Sequence, residues 1–240
     1  MKSKVEIIYH DNAIIVVNKP PNFLSIPDRY APQLPNVLGF LRDKFDEVYT
    51  VHRLDKPTSG VMCFAKTAEA HKSISTQFQE RSTSKIYLAL VDGKPLRKEG
   101  IINKPIAQNQ VNSSKMIIAE RGKPSITAYK VVEEFRHYAL VEADIKTGRT
   151  HQIRVHFQSM GHPLAIDELY GKRERLYLSE IKSGYNIGKF DTERPLMSRT
   201  TLHANRLTIQ HPQTGEEMAF EAPLHKDFAA IVKQLRKWGK

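Results

Sequence analysis

Short runs of β-branched and aromatic residues, separated by Gly, Pro and Asn, dominate the middle of this sequence. The runs cover residues 86–91, 101–106, 125–132 and 138–145. β-Branched and aromatic residues favour the pleated surface of a sheet, whereas Gly, Pro and Asn favour the turns between strands. The pattern predicts four successive strands, so a fold built around a sheet is expected.

The start of the chain carries signals for a hairpin followed by a helix. Two apolar runs, 5–9 and 14–17, lead into a turn signal at 18–22, which is typical of paired strands. Residues 37–45 then place apolar side chains at helical spacing, and Asn36 stands where its side chain can cap the first turn. We expect a short amphipathic helix there.

Two further helices are predicted, one after Thr67 and one at the end of the chain. Thr67 can cap a helix that turns Ile74 and Phe78 inward. The last helix has an apolar face and a basic face on the opposite side. The apolar face carries Phe228, Ile231, Val232, Leu235 and Trp238, and the basic face carries Lys233, Arg236, Lys237 and Lys240.

Together these elements predict a single α+β domain over residues 1–240, with a mainly antiparallel, mixed central sheet flanked by helices and loops. Further strand signals, at 51–54, 61–65, 202–209 and 217–221, fit this fold class. Residues 171–198 mix charge, glycine and proline without periodicity. They are interpreted as a flexible insertion.

The chain carries a strong excess of positive charge. Lys and Arg total 37 against 26 Asp and Glu, which gives a formal net charge of +11. A basic surface binds polyanions because each phosphate contact releases counterions, so RNA or DNA is the expected class of partner. A generically basic, well-solvated surface explains the charge equally well.

Cysteine usage and hydropathy exclude several classes of protein. The single cysteine, Cys63, cannot form an internal disulfide framework, and no group of Cys and His has the spacing of a structural zinc site. The first residues contain no apolar run long enough for a signal peptide, and no stretch of about 18 apolar residues occurs. We expect a cytoplasmic protein that does not enter a membrane.

A dense group of charged residues lies at 52–60, with the sequence HRLDKPTSG. Arg53 and Lys56 flank Asp55, and nearby positive charge favours the ionised carboxylate that covalent or electrostatic catalysis needs. Loops between buried elements often carry chemistry. Asp55 can also open a simple turn that the following proline and glycine complete, and the residue types alone favour that simpler interpretation.

A second group lies at 147–156, with the sequence TGRTHQIRVH. Thr150 can cap a helix that begins just after the glycine. Helical spacing places Ile153 on the apolar side of this helix and Arg154 on the opposite side. A guanidinium there can form a forked ion pair with a carboxylate or clamp a phosphate, or it can face solvent, which is the more common outcome.

Taken together, the motifs resemble the signature set of RluA-type pseudouridine synthases. The shared segments are VNKP at 17–20, the 52–60 segment followed by AKT at 65–67, KIYLALVDG at 85–93, the 147–156 segment, GHP at 161–163, LYG at 169–171, and LHA at 202–204 followed by HP at 211–212. Their order and separation match the family over nearly the whole chain. The resemblance implies one pseudouridine synthase catalytic domain, without the N-terminal S4-type RNA-binding module that many members carry.

The resemblance also implies roles for individual residues. It makes Asp55 the catalytic residue, Tyr87 the side chain that stacks on uracil and a candidate general base, and Arg154 the partner that holds the aspartate. Polar neighbours in the two segments are the expected RNA contacts: His52, Arg53, Lys56, Arg149, His151 and Gln152. Among them, Arg53 is a candidate to fill the space that a flipped base leaves.

The activity that the resemblance implies is isomerisation of specific uridines to pseudouridine in structured ribosomal or transfer RNA. The bond between N1 and C1′ must break, the uracil must turn, and C5 must bond to C1′. Asp55 could act on C1′, promote loss of the 2′ proton or add to C6, and the residues leave these routes open. No step needs a metal, nucleotide or nicotinamide cofactor, and none is expected. A monomer without an obligate protein partner is also expected.

Two other functions fit parts of the same pattern. A non-catalytic RNA-binding or RNA-folding protein could keep this scaffold, although the presence of Asp55, Tyr87 and Arg154 argues against it. An enzyme that cleaves a nucleoside glycosidic bond could use Asp55 to promote loss of the base to water. Release of tritium from C5 of labelled uridine separates isomerisation from both alternatives.

Overall fold

A computed structural model describes residues 5–186, 188 and 192–240. The chain divides into two compact units. The first consists of Met1–Tyr87 and His203–Pro223, and the second consists of Leu88–Leu202 and Leu224–Lys240.

Strands outnumber helices in both units. In chain order the elements are β1 (Glu6–His10), β2 (Ile14–Lys19), α1 (Val37–Arg42), β3 (Tyr49–Thr50), β4 (Ser59–Ala65), α2 (Ala68–Glu80), β5 (Ser84–Asp92), β6 (Glu99–Asn103), β7 (Ile106–Gln108), β8 (Met116–Ile118), β9 (Ile126–Glu134), β10 (Tyr138–Ile145), α3 (Gln152–Ser159), β11 (Leu202–Gln210), β12 (Glu217–Glu221) and α4 (Lys226–Trp238). The predicted α+β class, with a mostly antiparallel, mixed sheet, is confirmed.

The first unit contains strands in the order β1, β2, β4 and β11, with β12 paired to β11 and β3 paired to β4. These pairs are antiparallel except for β4 with β11, which is parallel. β2 and β4 are buried along nearly their whole length, as continuous apolar runs of this length predict. The predicted hairpin of β1 and β2 is confirmed.

Both helix caps predicted in the first unit are formed by side chains. Asn36 accepts a hydrogen bond from the Gly39 N–H at 2.8 Å, and Thr67 accepts one from the Ala70 N–H at 3.1 Å. Each cap satisfies a backbone donor that the first turn of a helix leaves without a partner. The helix after Asn36 ends at Arg42, earlier than predicted.

The second unit contains β10 paired with β9 and β9 paired with β6, all antiparallel, together with a separate small sheet of β7 and β8. Its core packs Leu90, Leu140 and Ile166 with apolar side chains of α4. Within the described part of the chain, no helix combines the length and the apolar character that crossing a bilayer requires.

Two predicted strands differ from the structure for identifiable reasons. Residues 51–54 are irregular and do not extend β3. The ring of His52 accepts a hydrogen bond from the Cys63 N–H of β4 at 3.0 Å, so this donor is not available to a backbone carbonyl of a longer β3. The run 101–106 is divided between β6 and β7 at Pro105, which has no N–H to contribute to a ladder. Both predictions missed a local side chain that interrupts the pattern.

The segment 171–198, interpreted as a flexible insertion, contains residues that lie in the core of the second unit. Leu176 and Met197 are buried there and form an isolated bridge with each other. Residues 187 and 189–191 of this segment lie outside the described residues. The flexibility of the segment stays a prediction.

The apolar face of α4 is confirmed over most of its length. Phe228, Ile231, Val232 and Leu235 are buried in the core of the second unit. Trp238, which was predicted on the same face, is 41% exposed because it is the last residue of the helix and extends past that core.

Phe228→Ala is expected to lower the free energy of unfolding by about 3–5 kcal/mol, because the fully buried ring leaves a cavity in the core. Urea denaturation of the purified protein measures the change. Lys233→Ala, on the exposed side of the same helix, is the matched control and should change stability by less than about 0.5 kcal/mol. Equal stability of the two variants would contradict the packing of α4 into the core.

Candidate functional site

Asp55 lies in an irregular loop of the first unit, between β3 and β4. The loop closes as a turn in which the Thr58 N–H donates to the Asp55 carbonyl at 3.0 Å. Leu54 is buried, Asp55 is half-buried, and both Arg53 and Lys56 are exposed. The backbone before Asp55 is therefore anchored, while the neighbouring cations remain accessible to a ligand.

A buried ammonium group holds the loop from the side that follows Asp55. Lys19, the last residue of β2, is fully buried, and its Nζ donates to the carbonyl oxygens of Pro20 at 3.0 Å, Phe23 at 2.7 Å and Lys56 at 3.1 Å. An ammonium has three donors, so these contacts match its capacity. They connect the turn after β2 to the residue after Asp55.

Ser25 holds the same loop from the side that precedes Asp55. Its hydroxyl donates to the Leu54 carbonyl at 2.7 Å and accepts from the Leu54 N–H at 3.1 Å. Both backbone polar groups of Leu54 are thus satisfied by one buried side chain. Sequence reasoning missed Ser25, and Lys19 was noted only as part of a motif, because neither residue type signals burial.

The start of β4 also needs one particular geometry. Gly60 has a φ of +119°, and a Cβ at this position would lie 2.1 Å from the Ala204 carbonyl oxygen on β11. The buried His203 bridges Ser59 at 2.9 Å and the Ala222 carbonyl at 3.0 Å. A carbonyl can only accept, so Nε2 of this histidine donates to Ala222.

Tyr87 lies on β5, half-buried against the core of the first unit. Burial and the negative charge of Asp55 both raise the pKa of its phenol. The two predicted site residues of this unit therefore lie close enough to interact electrostatically. A phenol with a raised pKa keeps its proton at neutral pH, and the roles of Tyr87 in stacking and as a base both stay predictions.

His52 has an internal role in the structure. Besides accepting the Cys63 N–H, its ring stacks on Phe78, with centroids 4.7 Å apart and planes at 23°. Burial, together with the charge of Lys85, lowers the pKa of His52 to about 3. The ring is neutral and packed, so these contacts favour a structural role over the predicted contact with RNA.

The second segment forms α3, with a different start from the one predicted. His151, not Thr150, occupies the N-cap position, and it has a left-handed φ of 55° without a side-chain cap. The residues from Gln152 to Phe157 are buried, Arg154 included, whereas Gln158 is exposed. Of the alternatives left open for Arg154, a position facing solvent is therefore excluded, because polar partners from other elements, which helical spacing cannot detect, cover this side chain.

Arg154 forms a forked ion pair inside the second unit. Its Nε and one terminal nitrogen each donate to Asp167 at 2.7 Å, and the guanidinium lies 4.9 Å from the centroid of the Tyr170 ring. Asp167 also accepts the N–H groups of Leu169 and Tyr170, both at 3.0 Å. The predicted forked pair exists, with a carboxylate that sequence reasoning did not identify. The predicted pairing of Arg154 with Asp55 stays a prediction.

The amide of Gln152 is saturated by internal partners. Its oxygen accepts from the Thr147 hydroxyl at 2.7 Å and from the Arg149 N–H at 3.1 Å, and its nitrogen donates to the Ile126 carbonyl and the Thr127 hydroxyl, both at 2.9 Å. The residue is also buried. These contacts favour a role in shaping the start of α3 over direct binding of RNA.

His151 and Arg149 are more accessible. The His151 Nδ1 lies 2.8 Å from the Tyr170 hydroxyl, and the Arg149 Nε donates to the Pro124 carbonyl at 3.3 Å. The remaining guanidinium nitrogens of Arg149 are available to a phosphate. Among the residues that the structure describes, no cluster of three or more His, Cys, Asp or Glu side chains could hold a metal ion.

A family model described as RNA pseudouridylate synthase matches residues 13–159, which include Asp55, Tyr87 and Arg154. The match covers more than half of the chain. The chain therefore belongs to the RNA pseudouridine synthase family, and the resemblance found in the sequence motifs is confirmed.

Curated relatives match almost the whole chain. The ribosomal large subunit pseudouridine synthase D of Nitrosomonas europaea is 34% identical, over 97% of this chain and 65% of the relative. The protein of the same name from Vibrio parahaemolyticus is 37% identical, over 97% of this chain and 71% of the relative. The chain thus spans about two thirds of the length of these relatives.

Solved structures show the same fold. Human RNA pseudouridylate synthase domain containing 1 is 28% identical, with a TM-score of 0.69 over 97% of this chain and 95% of that one. Human RNA pseudouridylate synthase domain containing 4 is 23% identical, with a TM-score of 0.71 over 96% of this chain and 93% of that one. At 23% identity, the similarity to the second human structure concerns the fold alone.

Lys19→Met is expected to lower the free energy of unfolding by roughly 2–4 kcal/mol, because three carbonyl oxygens lose a charged donor in a buried position. Hydrogen exchange at the Thr58 amide should also accelerate, since that amide closes the turn. Lys72→Met, on the exposed side of α2, is the matched control. Unchanged stability and unchanged Thr58 protection would refute the anchoring role of Lys19.

Arg154→Met is expected to destabilise the protein by about 3–5 kcal/mol, because it leaves the buried Asp167 carboxylate without its guanidinium. Combining it with Asp167→Asn removes the charge but keeps an oxygen acceptor for the backbone, so part of the lost stability should return. Urea denaturation of the single and double variants measures both effects. If the double variant were less stable than Arg154→Met, the pair would not act as described.

Proposed function

We propose that this chain isomerises uridines to pseudouridine in structured RNA and that ribosomal RNA is its substrate. The observation that carries the proposal is the loop of Asp55, whose backbone is fixed on both sides by Lys19 and Ser25. A loop whose backbone is fixed before the substrate arrives needs little reorganisation during the reaction. The names of the relatives, which refer to the large ribosomal subunit, support the choice of ribosomal RNA.

The reaction needs one group that can act on a sugar or a base while the uracil is detached and turned. The bond from N1 to C1′ breaks, the bond from C5 to C1′ forms, the proton on C5 is released to solvent, and N1 takes up one proton from solvent. The proposal assigns this task to the Asp55 carboxylate. It can add to C1′, take the 2′ proton or add to C6, and each route uses the same ionised oxygen.

The proposal assigns stacking on the extruded uracil to Tyr87. A target base inside folded RNA must leave its stack before any group reaches C1′ or C6, and an aromatic ring stabilises the extruded base. The raised pKa of the phenol keeps it neutral, so it offers a flat apolar face and a hydrogen-bond donor. The C5 proton then passes to Asp55, once this carboxylate is free again, or to water.

Exposed cations around the loop support the binding of RNA. Arg53 and Lys56 are exposed on either side of Asp55, and Arg149 has free guanidinium nitrogens in the second unit. Such groups contact phosphates and position the RNA without reading its sequence. The pairing of Arg154 with Asp55, action as a monomer and location in the cytoplasm belong to the same proposal.

Asp55→Asn is expected to reduce turnover by at least about a thousandfold, because the amide has no ionised oxygen. Affinity for RNA should stay within roughly tenfold, since one carboxylate adds little to the contacts with phosphate. Release of tritium from ribosomal RNA labelled at C5 of uridine measures turnover, and a filter-binding titration measures affinity.

Asp46→Asn, an exposed change in the same unit, is the matched control and should release tritium at the rate of the unmodified protein. Substantial tritium release by Asp55→Asn would refute its catalytic role. Binding of RNA without any tritium release by the unmodified protein would instead support a non-catalytic RNA-binding protein.

A further inference from the structure

An exposed cluster of aromatic and basic side chains lies in the second unit and contains none of the residues to which the proposed function assigns catalysis. It consists of Lys182, Tyr185, Lys237 and Trp238, and we call it the Trp238 patch. Trp238 is 41% exposed and Tyr185 is 37% exposed. Large aromatic side chains favour burial, so two of them exposed beside lysines indicate a candidate surface for binding a ligand.

The two lysines are positioned by the tryptophan ring. The Nζ of Lys182 lies 4.7 Å from the centroid of the Trp238 ring, and the Nζ of Lys237 lies 4.8 Å from it. The same Lys182 ammonium lies 5.8 Å from the Tyr185 ring. Within the described residues neither ammonium pairs with a carboxylate. Both charges are therefore held near the rings and remain available to an anion.

Further positive charge lies next to the patch. The N–H of Arg136 donates to the carbonyl of Gly239, the residue after Trp238, and the Arg136 side chain is exposed. Arg136 also lines a cleft of about 550 Å³ together with Lys94, Arg173, Asp92 and Glu180, in which Arg173 lies 3.5 Å from Asp92 and 3.8 Å from Glu180. Arg136 and Lys94 are therefore the exposed cations of this cleft that a chain of phosphates could contact.

We propose that the Trp238 patch binds an unpaired nucleotide of the RNA substrate, outside the segment that reacts. The base stacks on the exposed aromatic surface, and the flanking phosphates contact Lys182 and Lys237. Aromatic rings beside cations are the usual means of binding single-stranded nucleic acid, because every base has a π-face and every linkage a charge. The inference rests on the proposed function, since it assumes an RNA substrate.

An anionic membrane is the other polyanion that a helix with lysines and a tryptophan can bind. That mode requires the apolar face of the helix to enter the lipid. The apolar face of α4 is instead buried in the protein core through Phe228, Ile231, Val232 and Leu235. The observations therefore favour RNA.

The sequence offers a direct test, because Trp238 is the only tryptophan of the chain. Intrinsic fluorescence is followed while the full-length protein is titrated with a single-stranded oligouridylate of about ten nucleotides. We expect quenching that saturates. Trp238→Ala should weaken binding of the same oligonucleotide, measured by anisotropy of an end label, by about fivefold or more.

Charge variants provide a second test that leaves the aromatic ring in place. Lys182→Gln combined with Lys237→Gln should weaken binding and reduce the slope of log affinity against log salt by about 1–2. Lys233→Gln, an exposed lysine of the same helix, is the matched control and should change neither quantity appreciably. This comparison keeps the proposal testable if Trp238→Ala fails to fold.

The proposal is overturned if oligouridylate binds without changing the fluorescence, or if the double lysine variant binds like the control. It is also overturned if vesicles containing phosphatidylserine, and not RNA, quench the tryptophan. Because none of these titrations needs turnover, they give the same answer for Asp55→Asn. Failure of the patch is therefore distinguishable from failure of the proposed catalytic function.

Discussion

A buried ammonium group determines the local geometry on which the candidate site depends. An unpaired charge inside a protein is very unfavourable, so Lys19 can occupy its position only if acceptors surround it. Three backbone carbonyls do so, and one of them belongs to Lys56, next to Asp55. The turn after β2 and the loop of Asp55 consequently cannot move independently without exposing the ammonium or leaving carbonyls unpaired.

The second unit also contains buried charges that are hydrogen-bonded, and these lie at α3. There a guanidinium and a carboxylate, Arg154 and Asp167, are both buried and satisfy each other in a fork, while Asp167 also binds two backbone N–H groups. Buried pairs of this kind add little net stability compared with apolar residues, but breaking one is costly. The pair instead fixes local geometry, because Asp167 binds the Arg154 guanidinium and two backbone N–H groups at the same time.

Sequence patterns predicted the elements whose signals are local. The strands of the middle region follow from their residue types, and the caps of Asn36 and Thr67 follow from side chains that act within three residues. The acceptors of Lys19 and the partner of Arg154 could not be predicted in this way, because they come from other parts of the chain. The charged neighbours of Asp55 mark it as a candidate, but only the resemblance to a family favours a catalytic role over an ordinary turn.

The environments of Asp55 and Tyr87 differ in a way that supports the different roles proposed for the two side chains. The carboxylate lies in a half-buried loop with exposed cations on both sides, whereas the phenol lies in a strand that packs against the core. The negative charge of the Asp55 carboxylate makes ionisation of the Tyr87 phenol less favourable. A charged Asp55 therefore favours the neutral form of the phenol, which agrees with the proposal that the carboxylate performs the chemistry and the ring stacks on the base.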